Sequence, residues 1–141
     1  MLLKAGIDKT GREGSVVGVF GSLSDNISVG LFRMIAHERI NSVVLRGKVK
    51  ITRKQYYSRL SRMRDAGLIK RSNGGLILTA FGRIVYQVQK TIEDASTNQW
   101  KLRAIDSIEH SVDLPIEERA RLLESLIDNK QIKEILSAYQ T

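Results

Sequence analysis

The sequence predicts a mainly α-helical protein carrying one small β-hairpin. Three observations predict it. Apolar residues recur at three- and four-residue spacing in several segments, for example Tyr56, Leu60 and Met63, or Val85, Val88 and Ile92, the spacing of one buried helix face. Thr52 is followed three residues later by Gln55, a capping box that satisfies free amides at a helix entrance. The runs Leu68-Ile69-Lys70-Arg71 and Leu76-Ile77-Leu78-Thr79 flank Ser72-Asn73-Gly74-Gly75. Asn-Gly between two apolar runs marks a hairpin, because both residues accept positive φ.

Composition bounds the rest. The 141 residues support one domain, or one small domain with an extension. The chain has no cysteine, which excludes disulfides, thiolate metal sites and a cysteine nucleophile together. Its apolar runs are far shorter than a membrane span, and Met1-Leu2-Leu3-Lys4-Ala5-Gly6 lacks the apolar core of a signal peptide. The expected setting is cytoplasmic, without membrane insertion.

In chain order, residues 1–23 hold Gly6, Gly11, Gly14, Gly18 and Gly21. Their spacing matches neither a P-loop nor a dinucleotide fingerprint. The expectation is a flexible glycine-rich arm, packed locally through Phe20. Ser24 or Asp25 caps a first helix reaching about Arg39, with Ile27, Leu31, Met34 and Ile35 inward. His37, near its end, reads as a polar surface residue. Ile40-Asn41-Ser42 is a short connection with room for one β-pairing residue, and Asn41 or Ser42 caps a second short helix to about Val49. Val44 and Leu45 are its apolar contacts. A tight turn leads to the helix from Thr52, which Gly67 ends as a left-handed C′ residue. Two short helices so joined, the second basic, make a helix-turn-helix.

The charge is concentrated in this region. From Arg46 to Arg71 there are ten Lys/Arg and one acid, Asp65, a net of +9; the whole chain is +8, so everything else nets −1. Lys54, Gln55, Ser58, Ser61 and Arg62 point away from the Tyr56/Leu60/Met63 seam, with Arg53, Tyr57 and Arg59 on its flanks. Such side chains suit phosphates and base edges, and the local density points to a nucleic-acid partner.

Beyond the hairpin, Thr79 is a plausible cap for a long helix with Phe81, Val85, Val88, Ile92 and Ala95 on one stripe, resumed by Leu102, Ile105, Ile108 and Val112. Ser96-Thr97-Asn98 is a weak point. A continuous helix to Val112 would be about 50 Å long. It would have to pack on the C-terminal segment, a second copy, or both. Pro115 starts a further helix with Ile116, Ala120, Leu123 and Ile127 on one face and Leu122 and Leu126 beside it. Asp128-Asn129 breaks it, and a last helix from Lys130 to Tyr139 turns Ile132, Ile135, Leu136 and Tyr139 inward. Residues 104–141 carry eight acids and four bases, a chemistry for holding protein rather than polyanion. The expected dimerisation residues are Val88, Ile92, Trp100, Ile105, Leu123 and Ile127.

The succession of helix, short helix, turn and basic helix ending Ala66-Gly67-Leu68-Ile69-Lys70-Arg71, then a Gly-tipped hairpin and Leu78-Thr79-Ala80-Phe81-Gly82-Arg83, resembles a prokaryotic winged helix-turn-helix domain. It looks like the broad MarR/ArsR/PadR-like class of transcription regulators, and is similar to small winged-helix proteins of archaea. The resemblance covers about residues 24–90. It implies a winged helix-turn-helix domain over 24–79 and a helical extension over 80–141. By that resemblance, helix 52–66 is a recognition helix for the major groove and the hairpin around Asn73 is the wing.

The expected function is sequence-specific binding of double-stranded DNA as a dimeric transcription regulator. Arg46, Lys48, Lys50 and Arg53 would meet phosphates. Lys54, Gln55, Ser58 and Arg62 would face the groove with Tyr57 at its edge, and Arg71 and Asn73 would serve the wing. A homodimer would present two such helices about one turn of DNA apart. The alternatives are a winged-helix protein adaptor and a non-specific chromatin protein.

No catalytic constellation accompanies these features. His37 and His110 lie in different segments, and Glu109-His110 has no second His at helical spacing. Glu93-Asp94 and Glu117-Glu118 are adjacent pairs suited to helix surfaces, and no serine sits in a nucleophile elbow. No enzyme, cofactor, metal or small-molecule effector is expected.

Overall fold

The computed structural model describes residues 15–38 and 41–139. It is mainly helical with one two-stranded antiparallel hairpin, and divides into two compact units, one ending at Gln87 and one beginning at Val88. No helix among the described residues is long and apolar enough to cross a membrane. The first fourteen residues of the expected arm, and the expectations placed on Arg39 and Ile40, lie outside the described residues.

The first unit opens with a correction. Val16–Ser22 form a helix, α1, where a flexible arm is expected. Ser15 caps it, its Oγ accepting from the Gly18 amide at 2.8 Å. Val19 and Ser22 are buried and α1 packs on α4 (Arg53–Asp65), so tertiary burial overrides the low helix propensity of glycine and valine. Phe20 is exposed, and Val19 makes the packing contact instead.

Helix α2 (Asn26–His37) is capped by Asp25 as its sequence requires. Leu31, Phe32 and Ile35 form its buried face, with Ile27 and Met34 partly buried. Helix α3 (Ser42–Lys48) is capped by Asn41, whose Oδ1 accepts from the Val43 amide at 2.8 Å. Leu45 alone enters the core from α3; Val44 is exposed, contrary to expectation, since one helical step from Leu45 carries it off a narrow buried stripe. Helix α4 has both halves of its capping box and buries Tyr56, Leu60 and Met63.

Its C-terminus is a full Schellman arrangement. The Gly67 amide donates to Arg64 O and the Leu68 amide to Met63 O, each at 2.9 Å, with Gly67 at φ 80.

Strands β1 (Ile69–Ser72) and β2 (Gly75–Leu78) pair with Ile69 opposite Leu78 and Ser72 opposite Gly75. Asn73 and Gly74 take φ 49 and 76, two consecutive positive values that close a two-residue hairpin. Thr79 joins this hairpin to helix α5 (Ala80–Thr97). Its amide donates to Leu68 O at 3.0 Å, its hydroxyl donates to Gly67 O, and the same hydroxyl accepts from the Gly82 amide at 2.8 Å. A Cβ on Gly82 would stand 2.0 Å from Leu68 O. Only glycine allows α5 to start this close to the end of α4, which gives the Leu-Thr-x-x-Gly sequence a physical reason.

The domain boundary expected at residue 79 therefore falls later. The first two turns of α5 pack Phe81, Val85 and Tyr86 on the first core. Tyr86 meets Phe32 edge-on and its hydroxyl lies 3.1 Å from His37 Nε2, so that exposed histidine pins the end of α2.

In the second unit, the helix breaks at Asn98, and α6 (Gln99–Glu109) follows. Asn98 Nδ2 donates to Asp94 O at 2.9 Å, a local side-chain bond that competes with helix continuation. Helices α7 (Ile116–Leu126), begun at Pro115, and α8 (Lys130–Ala138), capped by Asn129, complete it. Ile105, Leu123, Ile127 and Ile132 make its core. Ile116, Ala120, Leu122, Ile135 and Tyr139, expected inward, are exposed, because four short helices enclose only a narrow seam.

Candidate nucleic-acid interface

The basic residues lie on α3, on the turn after it, on α4 and on the hairpin. Three devices fix α4: its capping box, its Schellman end and its buried Tyr56/Leu60/Met63 seam. A fourth was not legible from spacing. Arg59 Nε donates to Asp25 Oδ1 at 3.1 Å and its Nη1 to Gln55 O at 3.2 Å. Asp25 also accepts from the Ser28 amide and hydroxyl, so one carboxylate caps α2 and anchors α4. Desolvation raises its pKa, but the Ser28 amide, the Arg59 guanidinium and the Ser28 hydroxyl together outweigh that and hold it below the ordinary 3.8.

Around this frame, Arg53, Lys54, Ser58 and Arg62 are exposed on α4, with Arg46 half-buried on α3 and Lys50 exposed in the turn between. Arg71 and Asn73 are exposed on the hairpin. No ion pair among the described residues engages Arg46, Lys50, Arg53, Lys54, Arg62, Arg64, Lys70 or Arg71. Like charges concentrated in one stretch repel one another, a cost that an external anion would relieve.

Two expected residues are partly engaged. Gln55 Oε1 accepts from the Thr52 amide at 3.2 Å, so this side chain turns back over the helix start rather than outward. Lys48 Nζ lies 3.5 Å from Glu38 Oε1 in an exposed pair, weak enough to exchange.

Tyr57 is 45 % exposed, its ring meeting the buried Tyr56 ring at 77° with centroids 5.1 Å apart. It lines a cleft of about 550 Å³ shared with Asn41 and Val43 of the α3 entrance and Arg71 to Leu76 of the hairpin. Val43, which the sequence reading passed over, is 78 % exposed there. The signal was present in outline: Val43 precedes the buried Leu45 by two, which on a helix is the opposite face.

The expected dimerisation set splits. Ile105, Leu123 and Ile127 are buried in the second unit's own core and have no surface left for a partner. Val88, Ile92 and Trp100 are more than half exposed. The break at Asn98 makes the difference, since it lets the following helices cover their own stripe.

Comparison with protein-family models, with curated proteins and with solved structures finds no match to this chain. The functional reading therefore rests on the geometry above.

Proposed function

We propose that this protein is a winged helix-turn-helix regulator that binds double-stranded DNA sequence-specifically. The observation that carries the reading is the set of unpaired cations on and beside α4, a helix capped at both ends, with a basic hairpin next to it. In this reading α4 enters the major groove. Lys54, Ser58 and Arg62 address base edges there, and Arg46, Lys48, Lys50 and Arg53 meet the phosphates. Arg71 and Asn73 extend contact from the hairpin tip. Gln55 serves mainly the helix cap.

The reading includes a homodimer formed through the exposed Val88, Ile92 and Trp100, which would set two α4 helices against two half-sites. Sedimentation at micromolar concentration tests that part: wild type is expected as a dimer and V88D/I92D as a monomer. A monomeric wild type would remove the half-site arrangement.

Selection from a random duplex pool tests the central part. Wild-type protein is expected to enrich one sequence family, whereas K54E/R62E is expected to lose at least about a hundredfold in affinity, as two reversed contacts predict, while melting as wild type does. Binding without enrichment would favour an architectural role. Retained binding by K54E/R62E would remove α4 from the groove.

A further inference from the structure

The cleft between the α3 entrance, Tyr57 and the hairpin brings together an aromatic ring, an apolar side chain and a cation. One wall is the Tyr57 ring, 45 % exposed and in edge-to-face contact with the buried Tyr56 ring. Another is Val43, an apolar side chain left in solvent. Arg71 supplies a cation with no ion pair among the described residues. The tip is bare at Gly74, where a Cβ would meet nothing within 4 Å. At about 550 Å³ the cleft falls in the range of small-ligand sites. It has room for a nucleotide and is walled on one side by the hairpin.

We infer that this cleft holds one unpaired nucleotide, its base stacked on Tyr57 against Val43 and its phosphate on Arg71. The inference rests on the nucleic-acid reading above and adds a substrate class to it: duplexes that carry an extrahelical or terminal unpaired base. A flat aromatic face and a tethered cation are what base recognition outside the helix requires. Arg53, which meets the phosphates in that reading, precedes Tyr57 by one helical turn on α4. A strand whose phosphates follow Arg53 therefore passes the cleft, which favours a nucleotide within a strand over a free one.

The test uses the full chain and two duplexes, one fully paired and one with a single extrahelical 2-aminopurine. Wild type is expected to prefer the second roughly 5- to 150-fold, the range that base–aromatic stacking supplies, and to quench the probe. Y57A is expected to bring the ratio of the two affinities to about one without quenching, and Y57F to retain both. Equal affinities in wild type would overturn the inference and leave duplex binding standing. A preference that survives in Y57A would overturn the cleft assignment. Binding of a free 2-aminopurine mononucleotide as tightly as the extrahelical duplex would overturn the strand as its source. Failure to bind either duplex would overturn both readings.

Discussion

The two units treat their cations in opposite ways. In the second unit three basic side chains serve the fold. Arg119 donates to the carbonyls of Glu109, Ser111 and Leu114, closing the turn before α7. Lys101 pairs with Asp128 at 3.7 Å and Lys133 with Glu124 at 2.8 Å. Between Arg46 and Arg71 the fold engages Arg59 and, weakly, Lys48, and leaves the eight other cations of that stretch without an ion pair among the described residues. Composition runs in parallel, since residues 1–87 hold sixteen Lys/Arg and five Asp/Glu whereas residues 88–141 hold seven and ten. Charge that the fold itself does not use is the charge available to a partner, and here it is gathered on α4, the hairpin and the end of α3 with its following turn.

The comparison can be broken from either side. The largest expected effect is on the first unit's frame. Gly82→Ala would drive a methyl into Leu68 O and should destabilise that unit by about 3 kcal/mol or more, seen as an early melting transition; a wild-type melt would mean that α5 can shift without cost. Next, Ile132→Ala or Leu123→Ala opens the second core, with an expected loss of about 2–4 kcal/mol. Hydrogen exchange should then show deprotection confined to residues 88–139, and deprotection spreading into α4 would show the two cores to be one cooperative structure.

Asp25→Asn is expected to cost about 1 kcal/mol, the scale of a weakened cap. The sign of its pH dependence follows from the lowered pKa. The Asp25 contribution is complete above the ordinary aspartate range and is lost as the pH falls through 3.8 toward the folded value. Wild type should therefore lose more stability than D25N between pH 5 and pH 3, and parallel curves would deny Asp25 this role. The smallest effect is at the surface of the second unit. K133A should change stability by less than about 0.5 kcal/mol, because its partner Glu124 is largely exposed, and should leave duplex affinity unchanged; a clear drop in affinity would place nucleic-acid contacts outside the first unit.

Local signals made most of this architecture legible. The Thr52/Gln55 box, the Gly67 stop, the Asn73-Gly74 turn, the Pro115 start and the Asn98 weakness each describe interactions over a few residues, and each stands in the structure as its chemistry requires. What stayed hidden depends on contacts distant in sequence. Helix α1 exists because it packs on α4 and buries Val19 and Ser22. Asp25 and Arg59 are 34 residues apart. The fate of Ile105, Leu123 and Ile127 turned on whether the chain folded back, which a leucine stripe alone leaves open. The candidate interface was legible as a list of residue types, while its division into free cations, a capping Gln55 and a cleft beside Tyr57 required the fold.

The most direct test of the central claim is the slope of duplex affinity against salt, for wild type and K54E/R62E side by side. Counterion release lowers log K by about 0.9 per phosphate neutralised for each decade of salt. Contacts from the free cations around α4 predict a wild-type slope steeper than about −3 and a clearly shallower one in the double variant. A wild-type slope near zero, or the same slope in both proteins, would contradict the account.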